Sequence, residues 1–413
     1  MNILFVTMMN LHDIDEPGIY ADLLRVFASR GHRVWAVSPI ARREGTKRPP
    51  FESAGVTVCR VRTGNLQKSG LIEKTLATLM VEHQFKRGIR RFVGSERIDL
   101  VLFTTPPVTF DGVIDYVKRR YECRSYLLLK DIFPQNAVDL GMMQRGGLAW
   151  QYFRKRERRL YQLADWVGCM SQANVRYLLE HNPDIGPARV EVCPNSIEPR
   201  EACAVEPVET LRARYGIPGG TMMVLLGGNL GKPQGLDFFL DVVDHSRSRR
   251  DVHYVIAGSG TEKQRVSDHF TAGQHPNVTL LDYLPKDEYK KLLRLADVGL
   301  ILLDGRFTIP NFPSRLTAYM EARIPVLAAT DTVSDIKDVL READSGLWVE
   351  WGDRGGFLAA IDRLCSDPDL RSAMGRRGRR YLEEHYTVAK AYETIVAHMS
   401  LPADEVEQTH VRG

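Results

Sequence analysis

The stretch Thr221–Asp241, TMMVLLGGNLGKPQGLDFFLD, decides the fold. An unbroken apolar run ends at Leu226. Gly227, Gly228, Gly231 and Lys232 follow, and beyond Gly235 an amphipathic segment opens at Leu236. A short apolar run bounded by glycine reads as a buried strand, and the segment after it as a helix. Glycines at a strand-to-helix turn let backbone N–H groups approach an anion, and a lysine beside them adds charge. The spacing is neither G-x-G-x-x-G nor the Walker pattern. A tight loop that binds nothing would carry the same residues, so both readings stay open at this point.

Working outward, the same alternation fills most of the chain. Downstream, HYVIAGSG, VTLLDYLP, VGLILL, PVLAA and GLWVE read as strands separated by helices. Upstream, NILFVT, HRVWAVSP, GVTVCRV, IDLVLFTTPP, RSYLLLKDIFP, ADWVGCMS and RVEVCPNS form a first series. Between the two series, residues 199–220 hold no strand and are rich in proline and glutamate, which places a linker there. Two successive runs of alternating strand and helix imply two parallel sheets with right-handed crossovers. A chain of 413 residues is long for one core and suits two domains. Ligands of open parallel sheets sit beyond the carboxyl ends of the strands, so a cleft between two such lobes is the expected site.

The charge is uneven. Residues 1–200 hold 30 Lys+Arg against 21 Asp+Glu, a balance of +9; residues 201–413 hold 26 against 31, a balance of −5. Three basic stretches, HQFKRGIRRF, VKRRYECR and YFRKRERRLY, lie in the first half. Lys86, Arg87, Arg90 and Arg91 follow the apolar residues Leu76, Leu79, Met80 and Phe85; Arg154, Lys155, Arg156, Arg158 and Arg159 lie beside Trp150, Tyr152 and Phe153. Such a pattern suits an anionic membrane surface, or simply solvated helix faces; no nucleic-acid motif accompanies it. The six cysteines fall in no CxxC pair, which fits free thiols in a reducing compartment. The start MNILFVTMMN has no basic lead, and no stretch is apolar for long enough to span a bilayer. The expectation is a cytoplasmic protein, either free or peripheral on the inner face of the membrane.

Further segments could carry chemistry. In NFPSRLTAYMEA, Pro313 is placed for the first helical position, which would leave the N–H groups of Ser314, Arg315 and Leu316 free for an anion. Plain capping by Asn311 or Ser314 is the competing reading. Asp131, after the strand RSYLLLK, could bind a hydroxyl or accept a proton, or only form a turn. Gly18 opens a helix after a loop crowded with His12, Asp13, Asp15 and Glu16, read as a polar loop at the cleft rather than a metal site. Gly258 and Gly260 mark another strand–helix turn, and no Ser-His-Asp elbow or H-E-x-x-H pattern occurs.

In this order, GHRVWAVSP, LLKDIFPQNAVDLG, VCPNSI, GGNLGKPQGLD, IAGSGTEKQ, LPKDEYKKLLRLADVGLILL and PSRLTAYMEARIPVLAATD resemble family 4 glycosyltransferases, closest to bacterial enzymes of capsule and O-antigen polysaccharide assembly. The resemblance covers nearly the whole chain. It implies the GT-B fold: two Rossmann-like, doubly wound parallel-sheet domains facing a central cleft. An acceptor-binding domain would span residues 1–200 and a nucleotide-sugar domain 201–390. A C-terminal helix and tail, 391–413, would pack back on the first domain.

It further implies a retaining transfer from a nucleotide-diphosphate sugar, of the UDP-N-acetylated amino sugar type, to a saccharide or polyprenyl-diphosphate-linked acceptor, with no cofactor and no metal. Gly228, Asn229, Gly231, Lys232, Gln234, Pro313, Ser314, Arg315 and Leu316 would hold the diphosphate, and Gly258, Tyr283, Leu284 and Glu321 the base and sugar. Gly18 and Asp131 would face the acceptor, while Asp131, Lys232 and Arg315 are the catalytic candidates. The chain departs from the broad family in that Asn229 and Gln234 stand where an arginine and a lysine are usual. Likewise Pro310 and Ala318 stand where two glutamates are usual, and Lys130-Asp131 where His-Asp is common. The alternatives are a sugar-nucleotide 2-epimerase on the same architecture, and a non-catalytic partner subunit that binds nucleotide sugar.

Overall fold

A computed structural model describes residues 1–41, 49–64, 71–201 and 206–400. It divides the chain into two units. One comprises Met1–Glu198 with the segment from Thr387, and the other comprises Pro199–Tyr386.

In the first unit the elements run β1 (Asn2–Val6), α1 (Ile19–Ser29), β2 (Arg33–Ala41), β3 (Phe51–Ser53), β4 (Val56–Thr63), α2 (Leu71–Phe92), β5 (Leu100–Thr104), α3 (Asp111–Tyr121), β6 (Arg124–Leu129), α4 (Gln135–Asp139), α5 (Leu148–Leu163), β7 (Trp166–Cys169), α6 (Gln172–His181) and β8 (Val190–Val192). Their sheet has the order β3-β4-β2-β1-β5-β6-β7-β8. Every pairing is parallel except β3 with β4. The hairpin was not anticipated from sequence, because a three-residue strand shows no periodicity. Its signal is the Ala54-Gly55 turn, where both residues adopt left-handed φ (48° and 77°).

The second unit contains α7 (Val208–Arg214), β9 (Met222–Asn229), α8 (Leu236–His245), β10 (Val252–Ser259), α9 (Lys263–Gly273), β11 (Val278–Leu281), α10 (Lys286–Leu293), β12 (Val298–Leu302), α11 (Arg315–Glu321), β13 (Val326–Thr330), α12 (Ile336–Glu342), β14 (Gly346–Glu350), α13 (Arg354–Ser366) and α14 (Pro368–His385). The sheet order is β11-β10-β9-β12-β13-β14, wholly parallel. Strands such as β5, β12 and β13 are buried at every residue, as the unbroken apolar runs require. The strand β9 runs on to Asn229, past the Leu226 end expected from its apolar run, because Gly227–Asn229 keep pairing with Ala257–Ser259.

The chain returns to the first unit at Thr387, which forms a parallel bridge with Ile197, earlier than the boundary read from sequence. Helix α15 (Val388–Ala397) then packs on α1. Its Val388, Ala391 and Ile395 join Leu23, Leu24 and Phe27 in one apolar cluster, and Tyr392 meets Phe27 edge-on at 4.9 Å. The opposite face of the sheet is covered by α2, α3 and α5, so both faces are buried. Residues 401–413 of the expected tail, and Cys203, lie outside the described residues. Among the described residues no helix is long and apolar enough to cross a membrane.

The basic run on α5 is largely paired within the unit, whereas Arg87, Arg90 and Arg91 on α2 are exposed. Phe85 is fully buried against Phe110, at 4.8 Å between ring centroids, so the apolar face of α2 at that point serves the core rather than lipid. The side chains of Leu76 and Leu79 are outside the described residues. On α5, Arg154 pairs with Glu157 (2.6 Å), Arg156 with Asp111 and Glu82 (2.8 Å each), and Arg158 with Asp184 (3.3 Å). Arg159 lies 3.5 Å from Asp115. Glu82, Asp111, Asp115, Glu157 and Asp184 thus neutralise much of the basic run on α5.

Truncating Ile395 leaves a void where α15 meets α1. The variant Ile395→Ala is expected to lose about 2–4 kcal/mol, read as an earlier midpoint of the first unit in urea denaturation monitored by circular dichroism.

Candidate active site

The sheet of the second unit reverses its order at β9. From β9 the chain moves to β10 and β11 on one side, then crosses to β12, β13 and β14 on the other. A crevice at the carboxyl ends of strands forms at such a switch point. Here β9 and β12 pair only at Val298↔Val224 and Gly299↔Leu225 and then part. Tyr319, fully buried, fills the gap, its hydroxyl lying 3.1 Å from the Leu225 carbonyl and 3.3 Å from that of Leu300. Two glycines make room for rings. A Cβ on Gly299 would lie 2.6 Å from the Tyr319 ring, and one on Gly227 would lie 2.0 Å from the Tyr289 hydroxyl.

One helical turn before Tyr319, on the same face of α11, Arg315 reaches the end of β9. Its Nη2 donates to the Asn229 carbonyl at 3.1 Å, and the guanidinium also passes close to Gly228. Gly228, Asn229, Lys232 and Ser314 are exposed around it. The loop that carries Lys232 is held from three sides. Leu230 N–H donates to Ser259 O (2.9 Å), Asp304 N–H to Pro233 O (3.0 Å), and the Trp351 indole N–H to Gly235 O (3.0 Å). Gly235 has φ 53°, and a Cβ there would lie 2.5 Å from the Trp351 nitrogen, so both conformation and space demand glycine. Rigid backbone amides and two cations converge at one strand end, which suits a phosphate.

Several expected ligands have other tasks. Gln234 is buried, and its Oε1 faces the Gly231 N–H at 3.4 Å, so the pair closes the loop from within. Gly258 is buried beneath Gly228, where a Cβ would lie 1.9 Å from the Gly228 oxygen; its role is close backbone packing. Pro313 is not the first helical residue. Ser314 adopts αR geometry as the N-cap, and the Leu316 N–H donates to Pro313 O (3.2 Å), so Leu316 offers no free donor. Among the described residues the N–H groups of Ser314 and Arg315 have no acceptor. The Ser314 side chain does not cap the helix.

Glu321 lies at the far end of α11, where its carboxylate accepts from the Arg200 N–H (3.0 Å) and its carbonyl from Arg379 (3.1 Å). Tyr283, 69% exposed, and Leu284 follow β11 at the sheet edge. No contact among the described residues ties them to Arg315. Tyr319, Trp351, Asp304 and Arg306 were not anticipated. Arg306 stands at the carboxyl end of β12, paired with Asp304 at 2.7 Å. The one sequence signal for the buried tyrosine is the glycine inside VGLILL, since glycine within a strand marks a close approach.

Asp131 and Gly18 belong to the first unit. Asp131 follows β6; its Oδ1 accepts from Asn136 Nδ2 at 2.9 Å, and its N–H faces Thr105 Oγ1 at 3.3 Å. Burial pushes its carboxyl up to about 6, the Asn136 bond opposing. The adjacent Lys130 donates to Cys193 O at 3.2 Å, and burial lowers it to about 8. Gly18 caps α1 in an extended conformation, its N–H donating to Asp22 Oδ1 at 3.0 Å, so that donor is not free. A Cβ on Gly18 would meet only Ala21, at 3.9 Å. Nothing in its own unit therefore requires glycine there.

Comparison with known proteins accords with these two sheets. Residues 207–381 match the family model of glycosyl transferases group 1, and residues 19–196 that of a glycosyl transferase 4-like domain. The chain is 24% identical over 353 residues to the probable glycosyltransferase WbjE of Pseudomonas aeruginosa, covering 84% of this chain and 86% of that one. It is 23% identical over 278 residues to the putative colanic acid biosynthesis glycosyl transferase WcaI of Escherichia coli, covering 65% and 63% of the two. Anabaena HepE, solved in complex with UDP, superposes with a TM-score of 0.65 at 14% identity over 97% of this chain and all of its own, a likeness of fold. With both halves matched in order, the chain is an enzyme of the GT-B fold that belongs to the family 4 glycosyltransferases.

Proposed function

We propose that the chain transfers a sugar, with retention of anomeric configuration and without a metal, from a nucleoside-diphosphate donor to a saccharide or polyprenyl-diphosphate-linked acceptor in surface polysaccharide assembly. The observation that carries this reading is the Arg315 guanidinium anchored on Asn229 at the switch point, beside exposed Gly228 and Lys232. Departure of a nucleoside diphosphate develops charge on its β-phosphate. The Arg315 guanidinium, held on the Asn229 carbonyl, and the N–H groups of Ser314 and Arg315 are in place before the reaction and can stabilise that charge with little reorganisation, and the exposed Lys232 adds a second cation. A uridine donor is favoured because HepE, of the same fold, was solved with UDP and with UDP-glucose. WcaI is described as a colanic acid enzyme, which favours a surface polysaccharide as product. An N-acetylated amino sugar follows the subgroup that the PSR segment resembles.

Acceptor attack takes place on the face that the leaving phosphate vacates, and the hydroxyl proton passes to that phosphate. Asp131 orients the acceptor hydroxyl. The open space above Gly18 accommodates the acceptor, since no neighbour within its unit occupies it.

Incubation with UDP-, GDP- and TDP-sugars and a lipid-diphosphate-linked sugar tests the proposal. Transfer with a retained anomeric configuration by NMR is the expected result. Isomerised donor without acceptor would make the protein an epimerase, and binding without turnover a partner subunit.

Arg315→Ala is expected to lower turnover about 100-fold or more with an unchanged circular dichroism spectrum; undiminished transfer by that variant would sink the assignment of Arg315. For Asp131 the active form is the carboxylate. Transfer is therefore expected to fall as pH drops through about 6, whereas Asp131→Asn should be slow at every pH. Because burial raises this carboxyl from 3.8 to about 6, stability is lost as pH rises between those two values, and the full cost is present above about 6. Asp131→Asn should therefore melt higher than the wild type at pH 8, with the gap closing toward pH 4.

A further inference from the structure

We propose that Asp244, His269 and His275 form a binding site for a divalent transition-metal ion, separate from the transferase chemistry. Asp244 lies in the last turn of α8, His269 on α9, and His275 in the segment between α9 and β11. Both imidazole Nε2 atoms converge on one carboxylate oxygen, Asp244 Oδ1, at 2.9 Å from His269 and 2.7 Å from His275. The three ligand atoms all lie within 4.8 Å of one another. Bonds of about 2.0–2.1 Å at tetrahedral angles hold ligand atoms about 3.3 Å apart, so an ion enters once the carboxylate retreats by about half an ångström and the two imidazole nitrogens settle to the same spacing. Asp244 can retreat, because its side chain is 42% exposed and sits at a helix end.

The imidazoles are held in place. The His275 side chain is only 3% exposed, packed on Phe270 at 5.1 Å and stacked with His269 at 5.8 Å between centroids. His269 is one-third exposed, which leaves the remaining coordination position open to water. Two neutral imidazoles and a carboxylate select zinc, cobalt, nickel or copper over magnesium or calcium, which prefer all-oxygen sets. Ligation through Nε2 places the His275 proton on Nδ1, which is buried and has no partner. That orphaned donor makes the site weaker than a closed structural zinc centre.

Location separates this site from the donor crevice. Asp244 is eight residues along α8 from Leu236, the first residue after the glycine loop, so the two lie about 12 Å apart along the helix axis. An ion at this site would tie α8, α9 and the approach to β11 together at the end of the unit away from the switch point. Its effect falls on stability, and it can be tested whether or not the transfer reaction is as proposed.

The experiment uses full-length protein carrying no affinity tag. Zn²⁺ and Co²⁺ titrations are followed by calorimetry, thermal melting and the visible absorption of tetrahedral Co²⁺. One bound ion, a raised melting temperature and a tetrahedral Co²⁺ spectrum are expected, with Mg²⁺ and Ca²⁺ inert. His269→Ala and Asp244→Asn, both at partly exposed positions, should each weaken Co²⁺ binding more than about 100-fold while the metal-free protein melts near the wild type. Absence of binding, or binding that survives in both variants, would overturn the site.

Discussion

The hydroxyl of Tyr319 lies between two strands that have stopped pairing. In a parallel sheet every buried carbonyl needs a donor. Beyond Leu225 the strand β9 loses β12 as its partner, and the carbonyls of Leu225 and Leu300 both turn to one phenol. That single side chain lets the sheet open with its one proton shared between the two buried acceptors. It also sets the rotation of α11, and with it the place of Arg315 one turn earlier. The crevice at the switch point is thus a consequence of how a gap in a sheet is satisfied. Gly227 and Gly299 are the sequence's concession to it, vacating space for Tyr289 and Tyr319.

How much could be read from residues alone follows the same physics. Unbroken apolar runs such as VGLILL and PVLAA announce strands buried on both faces, because burial leaves no choice of side chain. The strand-to-helix glycine loop was legible too, as turn geometry restricts residue type, and the structure brings Arg315 to its edge. What escaped were roles decided by neighbours distant in sequence. Gln234 reads as a phosphate ligand until its carbonyl oxygen is seen facing Gly231. Glu321 reads as a sugar contact until Arg200 and Arg379 are found at the end of its helix. Trp351 carries no local mark at all, although it holds Gly235 from the far side of the sheet.

Charge misled in a similar way. A run such as FRKRERRL looks free when counted along the chain, because the acids that meet it, Asp111 and Glu82 on other helices and Asp184 in the turn after α6, are distant in sequence. An ion pair as exposed as Arg158–Asp184 adds little to stability individually. The effect of these pairs is to remove positive potential from a face that composition alone would assign to lipid. Asp131 is the converse case. An ordinary acid in the sequence becomes a weak one, held between Asn136 and Thr105, through burial that no local pattern encodes.

The return of the chain at Thr387 has a bearing on how the protein is made. Helix α15 supplies Val388, Ala391 and Ile395 to the apolar layer over β1 and β2, yet it is synthesised after every residue of the second unit. Until it arrives, Phe27 and Leu24 lack their cover. The first unit therefore leaves the ribosome with an open apolar face, while the second, contiguous from Pro199 to Tyr386, can close by itself. The order of completion is the reverse of the order of synthesis, and the first half of the chain keeps an uncovered apolar face for longer than its position suggests.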